Sequence, residues 1–308
     1  MKKVLSIDGG GIRGIIPALL LAHIENESKK PIAELFDLIA GTSTGGILAL
    51  GLTQHNEGKI EYSALDLANL YKDNGQTIFN NSFWHKVESL SGFQDEKFSA
   101  DGIESVLEQY FKNHLIKEAK TPVLVTSYDI EQRQPIFFKS WKEQWAELKI
   151  RQVARATSAA PTYFEPAYFE VGGKPRAFVD GGVFINNPAM SALVEAKKLF
   201  PDEEILLVSI GTGEQTETIL YENAKDWGKV KWLVPLMSCM FDGMSDAVNY
   251  QIKQLLNENY YRFQIKLTKA SDQMDLASNE NIQNLFEEAD LLIEQEKEQL
   301  KQLLDIIL

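Results

Sequence analysis

The chain has 308 residues, 44% hydrophobic and 24% charged, with 31 Lys and Arg against 44 Asp and Glu, a formal net charge of −13. That length provides a substantial core, and 20 Gly with 10 Pro exclude a disordered, collagen-like or low-complexity polymer. The acidic balance excludes a general affinity for nucleic acid polymers, whose phosphates it repels, but leaves room for a local basic patch at a membrane surface.

Residues 3–7 form a β-branched and leucine run that predicts a buried strand. It ends in Asp8-Gly9-Gly10-Gly11-Ile12-Arg13-Gly14, after which residues 15–23 predict a helix with Pro17 tolerable in its first turn. Residues 36–40 predict a second strand, ending in Gly41-Thr42-Ser43-Thr44-Gly45-Gly46, and residues 47–52 resume a helical apolar pattern. This rhythm predicts an α/β fold with a mostly parallel central sheet covered by helices. Residues 57–120 read as mixed and mostly helical, with a polar, Phe-containing stretch at 80–98 expected to be a mobile loop. Residues 121–128 and 135–139 predict two strands joined by a polar turn at 131–134. A helix is expected at 150–158, closed by Pro161, and a strand at 177–179 leads into Asp180-Gly181-Gly182. Asn187 caps an expected helix at 189–200, and 205–210 is the last clear strand.

The tail, residues 279–308, places Ile282, Leu285, Leu292, Leu300, Leu303 and Ile307 on one helical face. This amphipathic helix is expected to pack on the remainder or to form an oligomer interface. Its eight acids and two lysines supply nearly half of the net charge. With no linker or repeat, residues 1–308 read as a single domain. The apolar run at 4–7 is broken by Asp8 and Gly9, too early for an export signal, and no stretch approaches the roughly 18 apolar residues of a spanning helix. A lone cysteine, Cys239, forbids an intramolecular disulfide and suits a reducing compartment. A soluble, cytoplasmic protein is expected.

Gly41-Thr42-Ser43-Thr44-Gly45 fits G-x-S-x-G between a strand and a helix. Small residues on both sides permit the sharp turn that projects a serine hydroxyl, and the following helix aims free N–H groups at the same spot. A tight glycine turn with an incidental serine satisfies the same letters. An activated serine needs a base, yet none of the four histidines (His23, His55, His85, His114) follows Asp180. A Ser-His-Asp triad is therefore poorly supported. Asp180, at a strand end before two glycines, is the better base candidate, against the alternative of a turn aspartate capping backbone N–H groups. Residues Gly9 to Gly14 also match G-x-G-x-x-G, so a nucleotide-binding module is the rival reading. Against it, Asp8 would stand beside the pyrophosphate, and the next strand ends in Gly41-Thr42-Ser43 where a ribose-binding acid belongs. The alternative use of that loop is an oxyanion hole. Arg13 would brace the loop or meet an anionic head group.

Taken in order, the Asp8–Gly14 turn, Gly41-Thr42-Ser43-Thr44-Gly45-Gly46 and Asp180-Gly181-Gly182 closely resemble the patatin-like phospholipase family, as does Ser158-Ala159-Ala160-Pro161 with Tyr163-Phe164. The resemblance covers about the first 215 residues. It implies a three-layer sandwich with helices on both faces of the sheet, and lipid acyl hydrolysis with no metal or other cofactor. It further implies a dyad of nucleophile Ser43 and base Asp180, with Gly9, Gly10, Gly11 and Ile12 supplying oxyanion-hole backbone. Some bacterial relatives stay silent until a protein partner or small-molecule activator switches them on, so a regulated membrane-degrading effector is within the family's range. A catalytically silent lipid-binding protein is a further alternative. Trp227-Gly228-Lys229-Val230-Lys231-Trp232 runs into a nearly unbroken apolar stretch to Phe241. Trp227, Lys229, Lys231 and Trp232 are candidate membrane contacts for an enzyme peripheral to the bilayer, with a buried core helix as the alternative.

Overall fold

The computed structural model describes residues 1–79, 100–214 and 218–308. The loop expected at 80–98 lies outside these residues. The elements are β1 (Lys2–Ile7), α1 (Ile15–Ser28), α2 (Ile32–Leu35), β2 (Leu38–Thr42), α3 (Thr44–Thr53), a two-residue hairpin of β3 (His55–Asn56) and β4 (Lys59–Ile60), and α4 (Ala64–Ile78). After them come α5 (Asp101–Phe111), β5 (Val123–Asp129), β6 (Gln134–Lys139), α6 (Ile150–Thr157), β7 (Ala167–Val171), β8 (Lys174–Asp180) and α7 (Ala189–Leu199). The chain continues through β9 (Ile205–Ile210), α8 (Tyr221–Ala224), α9 (Lys229–Leu256), β10 (Tyr260–Phe263), α10 (Asn279–Gln295) and α11 (Lys297–Ile307).

The main sheet has the order β10-β9-β1-β2-β5-β8-β7, with β6 also paired to β5. Pairs from β10 to β5 are parallel, and β6, β7 and β8 are antiparallel to their neighbours. The continuous apolar runs in β1 and β9 follow from burial on both faces. Val4, Ile205 and Leu207 join a core with Ala189, Ala192 and Leu193 of α7. Leu5, Ile7, Leu206 and Val208 point to the larger core, shared with α1, α3, α4 and α10. Helices therefore cover both faces, and the sheet is mostly parallel as expected.

Besides the short β3–β4 hairpin, two strands of the main sheet were not expected from the sequence. β7 is an edge strand of mixed polarity, and β10 is only four residues long, so neither carries a strong alternation signal. The tail is two helices rather than one, broken at Glu296, and its apolar stripe is spent within the chain: α10 and α11 pack on α1. Glu288 of α10 ties this layer to the segment after β10, its Oε1 accepting N–H groups from Thr268 (2.6 Å) and Lys269 (2.7 Å).

Candidate active site

The C-terminal ends of β1 and β2 lie side by side, with Ile7 in register with Gly41. Sites in open α/β sheets gather at such ends. At the end of β2 the chain reverses into α3 through Ser43, whose backbone sits at φ 54° and ψ −123°. A non-glycine residue in this region is strained and persists only when its surroundings hold it. Here the Ser43 N–H donates to Thr157 Oγ1 at 2.8 Å. Gly45 is required two residues later, because a Cβ there would collide with the Ile7 carbonyl oxygen, so α3 can approach β1 only with glycine at this position.

The Ser43 hydroxyl donates to Asp180 Oδ2 at 2.5 Å. Asp180 ends β8, and its other oxygen, Oδ1, accepts the Gly182 N–H at 2.7 Å. The Gly181-Gly182 turn thus both ends the strand and fixes the carboxyl's orientation. Asp180 is 5% exposed. Burial, which penalises the ionised form, pushes its carboxyl up to about 7, outweighing the opposing hydrogen bonds from Ser43 and Gly182. A carboxylate with this affinity, touching the hydroxyl, is matched to taking its proton near neutral pH. Among the described residues, none that lines the surrounding cavity is a histidine.

The glycine-rich turn borders the same cavity. Gly9 donates its N–H to Asn186 O (3.1 Å), and Ile12 donates to Met274 O (2.8 Å). Two of the four N–H groups expected to face an oxyanion are therefore engaged elsewhere. Those of Gly10 and Gly11 make no such backbone bond among the described residues, and both glycines line the cavity with Ser43. Gly11 has φ +59°, and a Cβ there would strike the Met274 carbonyl. The turn is pinned through the Gly9 carbonyl, which accepts from Thr212 Oγ1 (2.8 Å) and Asn186 Nδ2 (3.3 Å). Thr157, Asn186 and Thr212 gave no signal of their own in the sequence, since lone polar residues beside helices and turns are common.

The cavity encloses about 740 Å³ of empty space, mouth included, and is walled mainly by apolar side chains, among them Ile47, Ile78, Ile103, Phe164, Met237 and Phe241. Arg13 does not reach this space. It is buried, and its guanidinium donates to the Gly10 and Gly213 carbonyls at 3.4 Å each, which makes it a brace of the turn. Trp227 and Trp232 meet edge to face, centroids 5.2 Å apart, with Lys229 and Lys231 exposed between them at the start of α9. Met237 and Phe241, further along α9, wall the cavity beside Ser43 and Asp180. The expected contact segment is therefore part of a helix far longer than its apolar run, and that helix borders the site.

A three-layer α/β fold with a serine on a strained strand–helix turn, touching a buried carboxylate beside a glycine-rich loop, defines a serine hydrolase type of architecture. The sequence model of the family described as patatin-like phospholipase matches residues 5–193. Patatin-like protein 2 of Oryza sativa subsp. indica is 32% identical over 340 residues, spanning 96% of this chain and 84% of that protein. Patatin group J-1 of Solanum tuberosum is 31% identical over 331 residues, spanning 95% and 84% respectively. Among solved structures, the human GIVD cytosolic phospholipase A2 superposes with a TM-score of 0.50 at 10% identity, covering 99% of this chain and 60% of that one. The chain belongs to the patatin-like phospholipase family, and it is an enzyme of the carboxylic ester hydrolase type. Among the described residues, no helix is long and apolar enough to cross a membrane.

Proposed function

We propose that the protein cleaves fatty-acyl esters of membrane lipids through an acyl-enzyme on Ser43, with Asp180 as its only general base. The contact between the Ser43 hydroxyl and the Asp180 carboxylate carries this reading. Asp180 takes the hydroxyl proton as Ser43 attacks the ester carbonyl. The free N–H groups of Gly10 and Gly11 receive the developing oxyanion, each donor of this kind lowering the barrier by roughly 3 kcal/mol. Asp180 returns the proton to the departing alcohol, then activates the water that releases the fatty acid. The apolar cavity accommodates the acyl chain, and burying such a chain there is favourable by about 0.8 kcal/mol per methylene.

The start of α9 fits a lipid surface. Trp227, Trp232, Lys229 and Lys231 lie together, and Leu236 and Met240 are nearly half exposed. Aromatic rings and lysines at one edge of an apolar face suit the bilayer interface. With a lone cysteine, the chain suits a cytoplasmic enzyme that meets its substrate peripherally. The test is release of free fatty acid from phospholipid vesicles. Wild type releases it and Ser43→Ala does not; equal release by both overturns the reading.

A further inference from the structure

A second cavity opens beside the glycine-rich turn, with about 850 Å³ of empty space, mouth included. Asn186, Phe241 and Met274 belong to both cavities, so the two adjoin. Their chemistry is opposite. Helix α9 carries the change: Met237 and Phe241 face the apolar cavity, while Asp242, Ser245, Asp246 and Asn249 line the polar one. The four polar residues stand at i, i+3, i+4 and i+7, which places them on one stripe of the helix.

The positive groups of this cavity are already engaged. Arg262 forms an ion pair with Asp8 at 2.6 Å and donates to Ser209 Oγ at 2.8 Å. Arg13 directs its guanidinium to the Gly10 and Gly213 carbonyls. Arg13 also attracts Asp242 at longer range, whereas Asp246 and Glu214 form no ion pair among the described residues. Asp8 is 2% exposed, and its Oδ1 has no hydrogen-bond partner among the described residues. A buried acceptor left without a donor is costly, so Asp8 Oδ1 calls for a donor that neither arginine of the cavity supplies. No group of three side chains suited to a metal ion occurs among the described residues, which favours an organic ammonium.

We propose that this cavity receives an ammonium-bearing head group of the lipid whose ester lies at Ser43, an inference that rests on the reading of Ser43 and Asp180 as the hydrolytic pair. Adjoining apolar and acidic compartments match a molecule in which an acyl chain and a cationic group branch from one ester-bearing backbone. The carboxylates of Asp242 and Asp246 attract the ammonium and disfavour a head group that is only anionic.

The test compares phosphatidylethanolamine with phosphatidylglycerol of identical acyl chains, each at the same low mole fraction in neutral detergent micelles. Wild type cleaves the amine-bearing lipid about tenfold faster, equivalent to about 1.4 kcal/mol, and Asp242→Asn with Asp246→Asn brings the two rates together. The control Glu294→Gln with Glu298→Gln changes the net charge equally on the C-terminal helices and keeps the preference. If the double variant melts early, Asp246→Asn alone gives the same readout at an exposed side chain. No preference in wild type, a preference that survives in the cavity variants, or one lost equally in the control overturns the proposal. Lipid hydrolysis that persists in Ser43→Ala overturns the underlying reading instead.

Discussion

Ser43 and Asp180 touch although their strands are not neighbours: β5 lies between β2 and β8. β2 runs parallel to β5 with Thr42 opposite Thr126, and β8 runs antiparallel to it with Asp180 opposite Ser127. The two strands thus deliver their last residues to one level from opposite directions. Hydroxyl groups fix that level. Thr42 Oγ1 and Thr126 Oγ1 are 2.7 Å apart, and Ser127 Oγ donates to the Val179 carbonyl at 2.7 Å.

Asp180→Asn separates the chemistry from the fold. Its amide can donate to Ser43 Oγ while its oxygen accepts the Gly182 N–H, so the geometry is retained but the base is lost. The turnover number is expected to fall at least about 10³-fold. Stability moves the other way. The folded carboxyl near 7 lies above the ordinary 3.8, so the folded chain holds a proton that the unfolded chain has released between those values. Stability from this group therefore declines as pH rises from about 4 to about 7 and stays low above that. At pH 8 the variant should melt roughly 2–5 °C higher than wild type by calorimetry.

The same titration shapes the pH profile. Because Asp180 must be ionised to act as base, kcat/KM on a soluble ester should rise through a single step near pH 7 and reach a plateau above it. A profile already flat from pH 5 would contradict a base held at about 7.

Gly11→Ala tests the oxyanion loop. The new Cβ would meet the Met274 carbonyl in a backbone region unfavourable for alanine, displacing the N–H groups of Gly10 and Gly11. A loss of about 10²–10³ in kcat with little change in KM is expected, measured by steady-state kinetics on a short-chain ester.

Trp232→Ala addresses the lipid surface. It removes one partner of the edge-to-face pair at the start of α9. Hydrolysis of liposomes should drop several-fold while that of a short soluble ester is nearly unchanged. Equal losses on both substrates would place the residue in the packing of α9 rather than at the bilayer.

Glu288→Ala probes the tail layer. Burial opposes ionisation of Glu288, but N–H groups from Lys269 and Thr268 outweigh it and hold the carboxyl below its ordinary 4.5. The stabilisation is thus complete at neutral pH and is lost as pH falls through that range. Removing the acceptor strips the charge-assisted bonds from the Thr268 and Lys269 N–H groups, at a cost of about 1.5–3 kcal/mol near pH 7. Urea denaturation of both proteins measures it.

Much of the frame was legible in the sequence because the parallel strands are buried on both faces and read as unbroken apolar runs. The turns after β1 and β2 were legible for a related reason, since only glycines permit such close backbone approach. What the sequence hid was the destination of individual N–H groups. Gly9 and Ile12 donate to the Asn186 and Met274 carbonyls, partners 177 and 262 positions away, and no local pattern encodes that pairing. Helix α9 was partly hidden because its apolar first half and polar second half serve two cavities, so neither half shows a uniform amphipathic period.

The most direct test of the central claim is covalent modification by a fluorophosphonate, with the site mapped by peptide mass spectrometry. One adduct on Ser43 is predicted in wild type, formed much more slowly in Asp180→Asn and absent in Ser43→Ala. An adduct on another residue, or labelling that persists in Ser43→Ala, would contradict the assignment of Ser43 as nucleophile.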